Sequence, residues 1–123
     1  MGVAVDASVV IAWQNPDHVF HSEATALIAE ADPPLFMGDL NLAEVLVGLD
    51  RSSWASLTKA MVSLGFHFVT PSAFDIAGAR IDTNLRMPDA YMIATAQKLK
   101  ATKVLSFDTS IIAAAKSLGF TTN

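Results

Sequence analysis

The sequence predicts an α/β fold, a three-layer α/β/α sandwich with a mainly parallel central sheet, and three observations carry that prediction. Short strand-like runs alternate with helical stretches along all 123 residues. The strand-like runs are continuously apolar, as strands covered on both faces are, rather than alternating apolar with polar. Acidic residues recur at the downstream ends of these runs, where an open parallel sheet gathers its chemistry. The length suits one domain over residues 1–123, and no repeat, low-complexity tract or linker divides it.

The elements follow in order. Gly2–Ala7 is β-rich and runs into Asp6-Ala7-Ser8, after which a short helix from Ser8 to about Gln14 is stopped by Asn15-Pro16. His18–Ala31 reads as a helix with Val19, Ala24, Leu27, Ile28 and Ala31 on one face, broken by Asp32-Pro33-Pro34. Leu35–Gly38 is a short apolar strand, and Asp39 to about Leu49 is helical and carries Glu44. Trp54, Leu57, Met61 and Leu64 recur at helical spacing with Gly65 as a C-terminal stop. Phe66–Thr70 is a strand ended by Pro71. Ser72-x-x-Asp75 then resembles a capping box ahead of an apolar face at Phe74, Ala77 and Ile81. A helix of small and apolar residues runs from Asp89 to about Lys100. Lys103–Phe107 is a strand ending at Asp108, Thr109–Leu118 is a last helix, and Phe120–Thr122 is an edge strand.

Composition narrows the chemistry. There is no cysteine, hence no disulfide frame and no thiolate nucleophile or zinc–thiolate site. The N-terminus lacks a basic leader and does not read as a signal peptide, and the longest apolar run, Val9–Trp13, is far too short to span a bilayer, so a soluble, cytoplasmic protein with no membrane partner is expected. Hydrophobic residues make up 52% of the chain and mean hydropathy is +0.41, which points to apolar surface covered by a partner or a second copy. A net charge of −4 argues against long-range attraction to nucleic acid, whose binding leans on phosphate neutralisation.

The carboxylates carry the functional argument. Asp6 and Asp108 fall at the downstream ends of two strands, and pattern alone places both at one edge of a parallel sheet. Asp39, Glu44 and Asp89 have access to that edge. Taken singly, Asp39, Asp89 and Asp108 are equally well explained as helix N-caps. Glu44, flanked by Leu42, Ala43, Val45, Leu46 and Val47, is expensive to ionise unless exposed or paired. Asp6 in an apolar strand poses the same problem. Crowded carboxylates raise one another's pKa, and a cluster of them is tolerated around a hard divalent cation such as Mg²⁺ or Mn²⁺.

Four segments, in this order, resemble the PIN-domain nucleases and most closely the VapC-type toxin ribonucleases of toxin–antitoxin pairs. They are Val5-Asp6-Ala7-Ser8, Leu42-Ala43-Glu44-Val45, Pro88-Asp89-Ala90-Tyr91-Met92-Ile93-Ala94-Thr95-Ala96 and Val104-Leu105-Ser106-Phe107-Asp108. The resemblance spans essentially the whole chain. It implies Mg²⁺- or Mn²⁺-dependent hydrolysis of RNA phosphodiester bonds, with Asp6, Glu44, Asp89 and Asp108 as metal-binding catalytic residues and Ser8 and Ser106 supporting them. It also implies an RNA substrate, a protein antitoxin and a homodimer. These four acids equal the whole acid excess of the chain, so the remainder is balanced. The segment after Asp108, Thr109-Ser110-Ile111-Ile112, lacks the further acid or aromatic of many relatives, which leaves any fifth ligand in doubt.

Other charged and aromatic residues read more plainly. Lys98, Lys100 and Lys103 precede the last main strand, at the opposite edge from Asp108, and read as solvated cations near a helix C-terminus. Arg51 and Arg86 are the better candidates for RNA phosphate, since they flank the Glu44 and Asp89 helices. His18 and His21 share a helix face only if that helix begins early, and without a third ligand they read as surface residues. Trp13, Phe20 and Trp54 read as core or interface packing, with base stacking as the functional alternative. Two further functional classes compete with the ribonuclease. One is a catalytically silent PIN-like binding module. The other is a receiver-type phosphoacceptor domain, which wants a paired acid after the first strand where this chain has Ala7, and an acceptor Asp where it has Thr70-Pro71.

Overall fold

Three residues suffice for β1 (Val3–Val5), because a buried central strand needs only enough length to present both faces. Its alternation divides the molecule. Val3 and Val5 face a layer with Val9, Val10, Ala24, Ile28, Val45 and Met61, whereas Ala4 faces one with Ile93, Ala94, Ala79, Ile111 and Ala115. The computed structural model describes all of residues 1–123.

Four parallel partners complete the sheet: β2 (Leu35–Gly38), β3 (Phe66–Val69), β4 (Lys103–Leu105) and β5 (Thr121–Thr122), in the order β3-β2-β1-β4-β5. Val3 pairs with Leu35 on one side and Lys103 on the other. The chain therefore reverses its direction of winding between β1 and β4, and the crevice at the carboxyl ends of these two strands is the place such sheets reserve for ligands. A receiver-type domain has the order 2-1-3-4-5, so the topology sets that alternative aside.

Seven α-helices cover the two faces: α1 (Ala7–Gln14), α2 (His21–Glu30), α3 (Asp39–Val47), α4 (Trp54–Ser63), α5 (Ala73–Thr83), α6 (Met87–Lys98) and α7 (Thr109–Ser117). Helix α6 is buried continuously from Ala90 to Ala96. It crosses β2 so closely that a Cβ on Gly38 would collide with the Tyr91 ring and Thr95 Oγ1. Overpacking of this kind costs about 1–3 kcal/mol, so glycine at the end of β2 is what lets α6 approach the site.

The predicted elements are present with shifted bounds, α6 starting at Met87 instead of Asp89 and β4 ending at Leu105 instead of Phe107, and two differences go further. Helix α2 starts at His21, so His18 and Val19 lie in the preceding turn and Val19 is exposed. In α5 the capping box forms as expected: Ser72 Oγ accepts from the Asp75 N–H at 3.1 Å, and Asp75 Oδ2 accepts from the Ser72 N–H at 2.8 Å. The buried face of that helix, however, is Ile76 and Ala79, whose small side chain permits close packing on α6. The predicted apolar face is turned outward, with Phe74 89% and Ile81 81% exposed. Lys98 ends α6 in an ion pair with Asp75 at 3.3 Å, a structural use of that cation. No helix is long and apolar enough to cross a membrane.

Candidate active site

Asp6 follows β1 and is 7% exposed. Burial of a carboxylate is tolerable when its oxygens find donors, and here they do. Oδ2 accepts from Ser8 Oγ at 2.7 Å and from Ser106 Oγ at 2.8 Å. The serines are themselves held: Ser8 Oγ accepts from the Phe107 N–H at 3.0 Å, and Ser106 Oγ accepts from the Asp108 N–H at 2.9 Å. A continuous hydrogen-bonded path thus joins the exits of β1 and β4. Each hydroxyl accepts from backbone and must point its own proton at Asp6.

Asp108 caps α7, its Oδ1 accepting from the Ser110 N–H at 2.8 Å and the Ile111 N–H at 3.3 Å. Glu44 lies in α3 and is exposed, so its presence in an apolar helix demands no special partner. It has one nonetheless: Asn41 Nδ2 donates to Glu44 Oε1 at 2.8 Å, and also reaches the Pro88 carbonyl at 3.5 Å. Asp89 is not the cap of α6. Arg86 occupies that position, and Asp89 lies in the first turn with no side-chain cap bond. Burial, and then the negative charges of Asp108, Asp6 and Glu44, raise its pKa above the ordinary carboxylate value of 3.8. That shift ties the four acids together electrostatically. Asp39, the remaining candidate, turns to the neighbouring strand exit and accepts from Thr70 Oγ1.

A pattern runs through the four. Asp6, Asp108 and Glu44 each have one oxygen engaged by the protein and the other unengaged, while Asp89 has neither engaged. No three acidic or histidine side chains stand close enough to grip an ion as they are. The donor set itself is all hard oxygen and carries excess negative charge, which suits Mg²⁺ or Mn²⁺ and not a soft metal. In donor chemistry, though not in spacing, the residues fit such an ion.

The flanking residues are distributed unevenly. Arg86 is exposed at the mouth of α6. Arg51 lies beyond the end of α3, with its guanidinium 5.7 Å from the Trp54 ring centroid. His18 and His21 form no metal pair: His18 Nδ1 accepts from the Phe20 N–H, and His21 Nδ1 lies 2.9 Å from the Ala12 carbonyl. Sequence reasoning missed two residues. Asn41 is 1% exposed and has its Oδ1 buried without a partner; its signal was a polar residue three positions before Glu44 on the same helix face. Asn123 Oδ1 accepts from the Ser106 N–H at 3.0 Å, and nothing in the local sequence announces that contact.

A family model described as PIN domain matches residues 3–117. No curated protein matches the chain significantly in sequence. Three solved structures share the fold. The sarcin–ricin loop cleaving toxin VapC20 of Mycobacterium tuberculosis is 20% identical, with a TM-score of 0.75 over 91% of this chain and 94% of that one. A toxin–antitoxin complex from Klebsiella pneumoniae is 23% identical, with a TM-score of 0.69 over 90% of each chain. FitAcB from Neisseria gonorrhoeae is 17% identical, with a TM-score of 0.69 over 98% of this chain and 95% of that one.

Proposed function

The chain belongs to the PIN-domain family, and on that premise we propose that it is a metal-dependent endoribonuclease and the toxin of a toxin–antitoxin pair. The observation that supports this most is that Asp6, Glu44 and Asp108 each have one oxygen tied down and one free, and that their charges, after burial, raise the pKa of Asp89.

Asp6, Glu44, Asp89 and Asp108 would hold the ion. A bound Mg²⁺ or Mn²⁺ supplies Lewis-acid activation of water and neutralisation of charge on the phosphate. Ser8 and Ser106 hold Asp6 by Oδ2 and so direct Oδ1 outward. The α7 cap does the same for Asp108 through its Oδ1, leaving Oδ2 free. Asn41 holds Glu44 by Oε1 and, through the Pro88 carbonyl, keeps α3 against the start of α6. Burial, and then the like charges of Asp108, Asp6 and Glu44, favour the protonated form of Asp89. Arg86 beside it meets the RNA phosphate, with Arg51 as a second, more distant contact. The chain offers no covalent nucleophile of the cysteine type.

The test is cleavage of single-stranded RNA by purified protein in Mn²⁺ or Mg²⁺, against EDTA and against Asp6→Asn. Divalent-dependent cutting that Asp6→Asn abolishes is expected; no cutting under any divalent ion would remove the reading. The outward face of α5 supports a homodimer, and a solved toxin–antitoxin complex of the same fold supports a protein antitoxin. A Phe74→Lys, Ile81→Lys pair is expected to halve the mass seen by analytical ultracentrifugation. An unchanged mass would move the dimer contact elsewhere.

A further inference from the structure

Beside the acidic cluster lies a cleft of about 350 Å³ lined by Ser8, Ile11, His18, Phe20, Phe107 and Asp108. We propose that it is a nucleobase subsite, which stacks one unpaired base of the RNA strand on Phe20 next to the phosphate addressed by the acids. This rests on the ribonuclease reading and says which part of the strand the protein grips.

Three observations carry it. Two of the lining residues, Ser8 and Asp108, belong to the acidic site, so an occupant of the cleft is a direct neighbour of whatever the acids act on. The Phe107 N–H donates to Ser8 Oγ, which joins the aromatic wall to the carboxylate path. Next, Phe20 and Phe107 stack with centroids 4.9 Å apart and planes at 26°, yet Phe20 remains 43% exposed. A ring held from behind and open to solvent is a platform, and unpaired bases stack on such rings whatever their identity. Lastly, the Phe20 N–H donates to His18 Nδ1 at 3.0 Å, which leaves Nε2 as the ring nitrogen that donates. His18, its ring tilted at 36° and 6.0 Å from that of Phe20, thus brings a hydrogen-bond donor to the cleft. Apolar walls, one donor and one carboxylate suit the edge and face of a base, and the volume is at the small-ligand end of binding clefts.

The test uses a single-stranded uridine decamer carrying one central 2-aminopurine, titrated with protein in Mn²⁺ in an Asp89→Asn background so that the probe survives. Quenching of the fluorophore is expected, with affinity about 10-fold weaker or more for Phe20→Ala and Phe20→Leu, and retained by Phe20→Trp. Phe20→Leu keeps apolar bulk, and melting curves of each variant separate lost stacking from lost folding. Quenching that is indifferent to all three substitutions would overturn the subsite even if the wild type cleaves RNA. Quenching that depends on Phe20, when the wild-type protein cuts no RNA under any divalent ion, would uphold the subsite and sink the nuclease. No RNA binding, with Phe20-dependent binding of a short basic peptide bearing one tryptophan, would overturn it and assign the cleft to a protein partner.

Discussion

The two halves of the acidic site are built on different principles. Around Asp6 and Asp108 one oxygen of each carboxylate is held: two serines, two backbone amides and a helix cap leave little freedom. Around Glu44 and Asp89 there is one side-chain bond, from Asn41, and a carboxylate whose pKa is raised by burial and by like charge. The first half is positioned by the chain itself. The second leaves Asp89 without a hydrogen bond, in a place where its charged form is favoured only when a cation arrives.

Asp89→Asn should separate the halves most strongly. Cleavage is expected to drop on the order of 100-fold or more, the usual scale for losing a preorganised charge. Folding should improve. Because the folded pKa is raised, ionising Asp89 destabilises the native state, so its contribution is full below the ordinary value of 3.8 and is lost as pH climbs through the raised one. In EDTA the variant should therefore melt higher than wild type at pH 7, with the gain closing as the pH is lowered. A variant that melts lower at pH 7 would show that Asp89 is structural.

Ser106→Ala probes the other half and should behave oppositely. It removes a donor from buried Asp6 and an acceptor from the Asp108 N–H. A loss of about 1–3 kcal/mol in denaturant unfolding is expected, together with a fall of about 10- to 100-fold in metal affinity by calorimetry. Unchanged stability would mean that the first half is no more rigid than the second. Asn41→Leu should be smallest in stability, since it also removes an unpartnered buried acceptor. Metal affinity should still drop about 10-fold. Equal losses in stability for Asn41→Leu and Ser106→Ala would erase the contrast.

How legible each half was follows from the same physics. Asp6 and Asp108 stand at strand exits, and strand exits in a parallel sheet are readable from apolar runs. Glu44 and Asp89 lie on helices whose approach depends on Gly38 yielding space to Tyr91, a three-dimensional fact with no local signature; the resemblance to a nuclease family, not spacing, brought them in. The capping box of α5 was legible because its four residues are consecutive, but the phase of that helix was not. Two apolar stripes compete on α5, and the tight fit of Ala79 against α6 decides between them. Val19 was assigned to a helix face because its turn is made by His18 Nδ1, a contact that periodicity does not encode.

The bond from Ser106 to Asp6 joins residues 100 positions apart, and β4 is the last long neighbour that β1 acquires. That distance is also an interval of time. At roughly 5–20 residues per second of synthesis, Asp6 leaves the ribosome about 5–20 s before the serine that orients it. Until then β1 has an open edge on that side, and only one of its two serines is present. On the proposed function the site is incomplete throughout that interval, and it closes only when β4 and Ser106 fold back onto the first strand.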